Sequence, residues 1–384
     1  MERGEVIVTE RELIPFSRPY RSAKEISNLT AVLASDHSHG DGPFTASASA
    51  RLRMITGAGH VLLTTSATHA LEMSTSLLGI GLGDEVILPS FTFPSAADAV
   101  ARTGARCVFV DIDQTTGTID PAQVLEAIGP ATRAISIMHY GGMPADLPAL
   151  TSIARDHGLP LIEDNAHGLG VPGLGIAGVL AAQSFHDTKN VHSGEGGALL
   201  INDFSLIERA EIMREKGTNR SQFLRGQIDK YSWVDWGSSY LPSELNAAVL
   251  DSQLAEFDEI QRMRHAVWNR YASELAGWAH DRGVVLMDPP GGIHAAHLFY
   301  LLLPDWSMQT EFIDTLRAAG VQAAFHYVPL DTSGAGRRFG RTLRPLDRSE
   351  DFSRRLVRLP LWAGMPESFV SRVIEATKSF LPVR

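Results

Sequence analysis

The chain has 384 residues, 44% of them hydrophobic and 20% charged, which is enough to bury a large core and too long for a small stapled module. Its 34 Lys and Arg stand against 44 Asp and Glu, a formal net charge of -10. That balance argues against a nucleic-acid-binding protein, though not against one basic pocket around a phosphate. A single cysteine, Cys107, excludes an internal disulfide and any Cys-based zinc or iron–sulfur centre.

The first 16 residues carry acidic side chains and no long apolar run, so no leader peptide is expected there. No stretch approaches the roughly 20 apolar residues of a membrane span. A cytoplasmic α/β enzyme is the expected class. Strands are predicted at 61–64, 86–88, 107–110, 134–138, 161–163, 181–185 and 198–200. Several are apolar on both faces, as strands covered by helices on both sides are. Helices are predicted between them at 67–78, 95–102, 121–128 and 147–157, with Asp120 as a cap before Pro121. This alternation predicts a mostly parallel sheet. Residues 244–275 read as one long helix, with a break near Glu259, leading to a smaller α+β unit. That unit has strands at 299–303 and 321–325 and helices at 309–318 and 367–377. The expected division is 1–255 and 256–384. The segment 214–236 reads as an ordered loop, because Phe223, Tyr231, Trp233 and Trp236 give it apolar surface to bury.

In an open parallel sheet, ligands collect beyond the carboxyl ends of the strands. Thr65-Ser66-Ala67-Thr68 precedes a helix and suits a phosphate, or serves only as an N-cap. Asp164 ends an apolar strand, with His167 three residues on, and either needs a cationic partner or caps a turn. Ser184-Phe185-His186-Asp187-Thr188-Lys189-Asn190, followed by Gly194-Glu195-Gly196-Gly197, places Lys189 just past a strand. Its amine is either a Schiff-base nucleophile or a solvated charge. Phe91 and Phe93 lie after another strand and are either core or a stacking face. Together these residues form the set that pyridoxal phosphate needs: a lysine for its aldehyde, a carboxylate for its ring nitrogen, an anion cradle and a flat apolar face. Gly168-Leu169-Gly170-Val171-Pro172-Gly173 spells a dinucleotide fingerprint but contains Pro172 and does not open a helix, so it reads as a loop. His186, Asp187 and His192 lack regular metal-ligand spacing, and no metal is expected.

At these residues the chain resembles the DegT/DnrJ/EryC1/StrS sugar aminotransferases, which have the fold-type I pyridoxal phosphate architecture. The likeness runs from Ile14-Pro15-Phe16 to the C-terminal helix and centres on the S-F-H-x-T-K-N and G-E-G-G runs. Residues 213–243 are closer still to one branch, the dTDP-4-amino-4,6-dideoxygalactose transaminases. The resemblance implies a large domain with a mostly parallel sheet and a small α+β C-terminal domain. It implies Lys189 as the Schiff-base lysine, Asp164 as the partner of the ring nitrogen, His167 near the cofactor and Phe93 stacked on the ring. Ala67, Thr68 and Ser184 would cradle the phosphate, joined by Ser239 from a neighbouring subunit of a homodimer with shared sites. His326 and Tyr327 would line the substrate side. Apart from the resemblance, Arg214, Lys216, Arg220, Arg225 and Lys230 form a basic loop that either supplies charge for a substrate diphosphate or simply faces solvent.

The implied reaction carries the amino group of L-glutamate, through pyridoxamine 5′-phosphate, to a nucleotide-linked 4-keto-6-deoxyhexose. The branch implies the galacto product, with the gluco epimer as the alternative, and a 3-aminotransferase would share every cofactor residue and differ only in sugar placement. A dehydratase of this fold has His in place of the lysine, so Lys189 argues against it, and Lys189 with Asp164 argues against a non-catalytic regulator. Ser238-Ser239-Tyr240-Leu241, Asp187 and Asp331 depart from the common family pattern.

Overall fold

The computed structural model describes residues 12–380, so most of the stretch read above for a leader lies outside the described residues. Runs rich in Val, Ile and Leu form β1 His60–Thr64, β2 Glu85–Pro89, β3 Arg106–Val110, β4 Thr132–Met138, β5 Leu161–Asp164, β6 Leu180–Ser184 and β7 Gly197–Ile201. Later come β8 Val285–Leu286, β9 Phe299–Leu302, β10 Gly340–Thr342 and β11 Leu356–Leu359. The large sheet has the order β1-β7-β6-β5-β4-β2-β3-β10. Only β7 runs against its neighbours, antiparallel to both β1 and β6, and the other pairs are parallel. This is the fold-type I architecture, a large mostly parallel sheet domain with a smaller C-terminal domain.

Strands β6 and β7 are buried along their whole length, as strands covered on both faces must be. Helix Ala67–Leu77 packs on both of them. Its N-cap is Ser66, whose Oγ accepts the His69 N–H at 3.1 Å. Asp120 caps Pro121–Ala127 and Asp146 caps Leu147–Asp156, each accepting a first-turn N–H. Each helix therefore starts directly after its strand or loop, and the sheet's carboxyl edge is lined by helix N-termini.

In the C-terminal part, β11, β9 and β8 form a small antiparallel sheet. It packs through Tyr271, Phe299, Leu301, Phe312 and Val373 against the flanking helices. The expected helix 244–275 is two helices, Glu244–Ala255 and Phe257–Arg282, and the break is at Glu256 rather than Glu259. Glu256 leaves helical geometry, and its carboxylate accepts from Tyr20 Oη and Ser22 Oγ, both at 2.8 Å. The second helix runs on to Arg282 and stops at Gly283 in the left-handed conformation. The division we propose, 1–255 and 256–384, falls at this break, while β10 returns across it to the edge of the large sheet. There Arg341 clamps Glu85 with two hydrogen bonds of 2.7 and 2.6 Å.

The expected strand 321–325 does not form. Val321 bridges to Ile14 and Ala324 to Arg358, but only singly. The Phe16 N–H goes to the Gln322 side chain at 2.9 Å, which ends the ladder. No helix among the described residues is long and apolar enough to cross a membrane.

The sheet meets the helix start most closely at Gly197, where an added Cβ would sit 2.3 Å from Ser66 C and 2.4 Å from Ala67 N. Both neighbours are backbone and cannot step aside. Gly197→Ala should therefore destabilise the fold by about 3 kcal/mol, the upper end of ordinary overpacking. Chemical denaturation followed by circular dichroism checks this; an unchanged midpoint would mean that β7 can slide away from the helix.

Candidate active site

Parallel strands β4, β5 and β6 end at one edge, where Met138 and Asp164 are register partners. Strand β1 ends at the same edge, and helix Ala67–Leu77 begins three residues later. The resulting cavity, about 530 Å³, is lined by Ser66, Ala67, Thr68, Phe93, Asp164, Ala166, His167, Ser184, Lys189, His326 and Tyr327, among others. The residues expected from sequence at the cofactor are thus brought together, with the exception of Ser239. Thr68 Oγ1 and Ser95 Oγ are hydrogen-bonded at 2.7 Å on this wall. The N–H groups of Ala67 and Thr68 lie at the helix start, beyond the reach of any helix carbonyl. Phe93 lines the cavity yet is 52% exposed, so it forms its rim.

Side chains alternate along β5, and its two carboxylates go to different uses. Glu163 is fully buried and accepts from Gly175 N at 2.9 Å, Gly178 N at 2.7 Å and His139 Nε2 at 2.9 Å. The Ala145 N–H points at His139 Nδ1, so the proton on His139 is at Nε2 and is donated to Glu163. Burial alone would raise the Glu163 carboxyl, but the bond from His139 and the two N–H groups hold it below its ordinary value. Asp164 accepts one short-range bond, from Ala166 N at 3.1 Å, and faces the cavity. Burial pushes its carboxyl up; the Ala166 N–H, Lys189 and His139 oppose that shift.

Lys189 stands in the turn after β6, its N–H bonded to His186 O at 2.9 Å. Burial pulls its amine down from 10.5 to about 8, Asp164 opposing and Arg358 assisting. An amine with that value is partly deprotonated near neutrality and can act as nucleophile and base.

The opposite wall is aromatic. His167 is stacked on His297 with centroids 4.1 Å apart, and His326 on Tyr327 at 3.8 Å. His167 Nδ1 accepts the Gly141 N–H at 3.2 Å, which leaves its Nε2 as the donor. His297 Nδ1 donates to Asn190 Oδ1 at 2.9 Å, because the Asn190 amide nitrogen is already given to Gln261 and Ala295 O. Tyr140 Oη meets His326 Nδ1 at 3.1 Å. Burial lowers all three histidines well below their ordinary value, with the cations Lys189 and Arg358 acting in the same direction. They are neutral hydrogen-bonding groups. His297, Tyr140 and Arg358 did not stand out in the sequence, and Phe16 did so only as the start of the family likeness; for Arg358 the signal was a lone charge inside the apolar run 356–361.

The basic residues expected at substrate lie outside this cavity. Arg220 pairs with Glu215 at 2.9 Å and Arg225 grips Glu211 at 2.9 and 2.8 Å. Lys216 occupies a left-handed turn position, and Ser239 bridges Glu215. The loop's aromatics are not buried as expected: Trp233 is 77% exposed and Phe223, Tyr231 and Trp236 are also exposed. Among the described residues the loop is instead fastened through its backbone, by Thr218 to Trp233 and by Asn219 N to Ser232 O at 3.3 Å, with Ser232 N also donating to the Asn219 side chain. The glycine run 168–173 lies in turns, and among the described residues no three metal-ligating side chains converge.

The donor set fits pyridoxal phosphate: an amine of lowered basicity, a buried carboxylate and a capped helix start converge in one cavity. Residues 19–378 match the profile of the DegT/DnrJ/EryC1/StrS aminotransferase family. The spore coat polysaccharide biosynthesis protein SpsC of Bacillus subtilis (strain 168) is 28% identical, with 98% of this chain and 99% of that protein covered. The aminotransferase TlmJ from Streptoalloteichus hindustanus superposes with a TM-score of 0.87 at 30% identity, covering 95% of this chain and 98% of that one. DesV of S. venezuelae, solved in complex with a ketimine intermediate, gives 0.85 at 32%, covering 96% and 98%.

The electrostatics of the Lys189 amine can be tested on the protein without cofactor. Its labelling by an amine-directed reagent, followed by mass spectrometry, should rise with a midpoint at about pH 8 instead of 10.5. Asp164 favours the ammonium, so Asp164→Asn should move the midpoint lower still. A midpoint near 10.5 would mean that the amine is solvated.

Proposed function

The chain belongs to the DegT/DnrJ/EryC1/StrS aminotransferase family, and we propose that it uses pyridoxal 5′-phosphate to aminate a sugar nucleotide. The amino group of L-glutamate goes to C4 of dTDP-4-keto-6-deoxy-D-glucose, giving 2-oxoglutarate and dTDP-4-amino-4,6-dideoxy-D-galactose. The observation that carries this reading is the presence of Lys189 and Asp164 in one cavity beside the start of helix Ala67–Leu77. The name of SpsC, a polysaccharide biosynthesis protein, and the ketimine in DesV support the substrate class and the chemistry.

When bound, pyridoxal phosphate supplies an aldehyde that condenses with amines and a ring that accepts the electrons of a broken C–H bond. Ala67 and Thr68 receive the phosphate on their N–H groups at a positive helix end, with the Ser184 hydroxyl beside them. Asp164 gives the ring nitrogen an anionic partner and so keeps it protonated, which offsets the cost of its own burial. Lys189 would hold the aldehyde carbon, and its amine, when free, would carry the proton at the reacting carbon. His167 contributes an Nε2–H, held in place by Gly141. Phe93 covers the rim, and His326 and Tyr327 line the sugar side.

Lys216, Arg220, Arg225, Lys230 and Ser239 serve the site of a second copy in a homodimer. Their own cavity does not contain them, and they share one surface segment with the exposed Trp233 and Trp236. For Arg220 and Arg225, contact with a diphosphate requires exchange of their present partners, Glu215 and Glu211.

Incubation with glutamate and the 4-keto sugar nucleotide, read by proton NMR, tests the assignment. A small H3–H4 coupling is expected, as an axial amine requires. A large diaxial coupling would give the gluco epimer, and amination at C3 would overturn the 4-aminotransferase reading. Lys189→Ala should abolish turnover.

A further inference from the structure

Arg358 is the third residue of β11, the inner end of a small-domain strand that reaches the cavity. Its backbone is fixed on both sides by Ala324, with Arg358 N bonded to Ala324 O at 2.7 Å and Ala324 N to Arg358 O at 3.3 Å. Its Cζ lies 4.6 Å from the centroid of the Phe16 ring, and one Nη donates to Phe325 O at 3.1 Å. Nε is buried and has no partner. No carboxylate among the described residues pairs with it; the groups that act on its charge are burial and the hydroxyls of Tyr140 and Tyr327.

Other buried or half-buried arginines are used differently. Arg264 gives Nε to Ala296 O and Nη2 to His297 O and Leu361 O, so its donors fasten backbone segments together. Arg214 holds Asp41 with two bonds and also bonds Leu63 O. Arg355 has Leu303 O and Asp351. Arg358 alone among these four has a stacked, positioned guanidinium that lines the reaction cavity with most of its five N–H groups uncommitted. A half-buried guanidinium left in that state, with its Nε buried and unpartnered, carries a desolvation cost that an anion arriving with the ligand would offset.

We propose that Arg358 anchors a carboxylate of the amino-acid donor in the cavity that holds Lys189. The inference rests on the aminotransferase reading and names a specificity residue for its first half. The flat fork of a guanidinium matches a carboxylate with two parallel N–H bonds. The charges of the cavity are consistent with this. Asp164 is committed to the cofactor ring, the helix start to the phosphate, and Arg358 is the cation without an assigned anion. A sugar nucleotide also brings an anion, its diphosphate. Arg358 lines the same cavity as Lys189, however, so the anion it holds enters the space around the reacting nitrogen. A donor carboxylate is a few bonds from that nitrogen, whereas the whole sugar ring separates the diphosphate from C4.

The experiment uses the holoenzyme and glutarate, a dicarboxylate with no amine to transfer, in calorimetric titrations. In Arg358→Met, glutarate affinity should fall about ten- to a hundredfold. The KM for glutamate should rise in parallel, and that for the sugar nucleotide should stay unchanged. Arg358→Lys keeps the charge without the fork and should fall between wild type and Arg358→Met. Arg358→Gln stands in if the Met variant does not fold, with the same expectation. The anchor is refuted if a folded Met or Gln variant, with native cofactor absorbance, binds glutarate as wild type does. It is equally refuted if the sugar-nucleotide KM rises while glutarate binding is kept, because the anion is then the diphosphate. The two readings fail separately. Wild type that binds glutarate through Arg358 but aminates no keto sugar sinks the proposed reaction alone, and amination with glutarate binding indifferent to residue 358 sinks the anchor alone.

Discussion

Two carboxylates in sequence at the end of β5 set the terms for the rest of the site. An extended strand sends neighbouring side chains to opposite faces, so Glu163 and Asp164 cannot share an environment. Glu163 is enclosed by His139 and two loop N–H groups, which locks the loop through Gly175 and Gly178 against the sheet. Asp164 keeps its charge for the cavity. Both are buried, and each is tolerable only because a different kind of partner is present: internal hydrogen bonds for one, a cation or a protonated ring for the other.

The same desolvation shapes the opposite side. Lys189, His167, His297 and His326 are all pushed toward their uncharged forms by burial, and the neighbouring charge of Arg358 acts on all four in the same direction. The histidines therefore contribute directed hydrogen bonds and stacking surface in place of charge. The amine that must attack a carbonyl is available without a dedicated base. Arg358 resists this trend because a guanidinium stays protonated even when burial lowers its basicity, so it is the durable positive charge of the wall.

Much of the architecture was legible in the sequence because strands covered on both faces must be apolar throughout and helices between them carry recognisable caps. Asp120 with Pro121 and the apolar run before Asp164 are such cases. Strand β10 was not legible: its three residues, Gly340, Arg341 and Thr342, have no apolar pattern, and they pair because Arg341 can clamp Glu85 across the sheet edge. Residues 321–325 have a strand-like composition, yet the neighbouring N–H of Phe16 is diverted to the Gln322 side chain. The break at Glu256 depends on Tyr20 and Ser22, more than two hundred residues away in sequence.

The sequence by itself determined the local chemistry: a lysine after a buried strand, a carboxylate at the end of another, and hydroxyls at a helix start. Each of these follows from short-range pattern, because strand ends and helix caps are set by neighbours within a few residues. Only the tertiary structure decided which of them meet. It brought Phe16, His297 and Arg358 to the cavity from three distant segments, and it left Arg220, Arg225 and Ser239 outside it. Proximity across hundreds of residues depends on how sheets and helices pack, and desolvation, which moves the Lys189 amine to about 8, exists only once that packing encloses it.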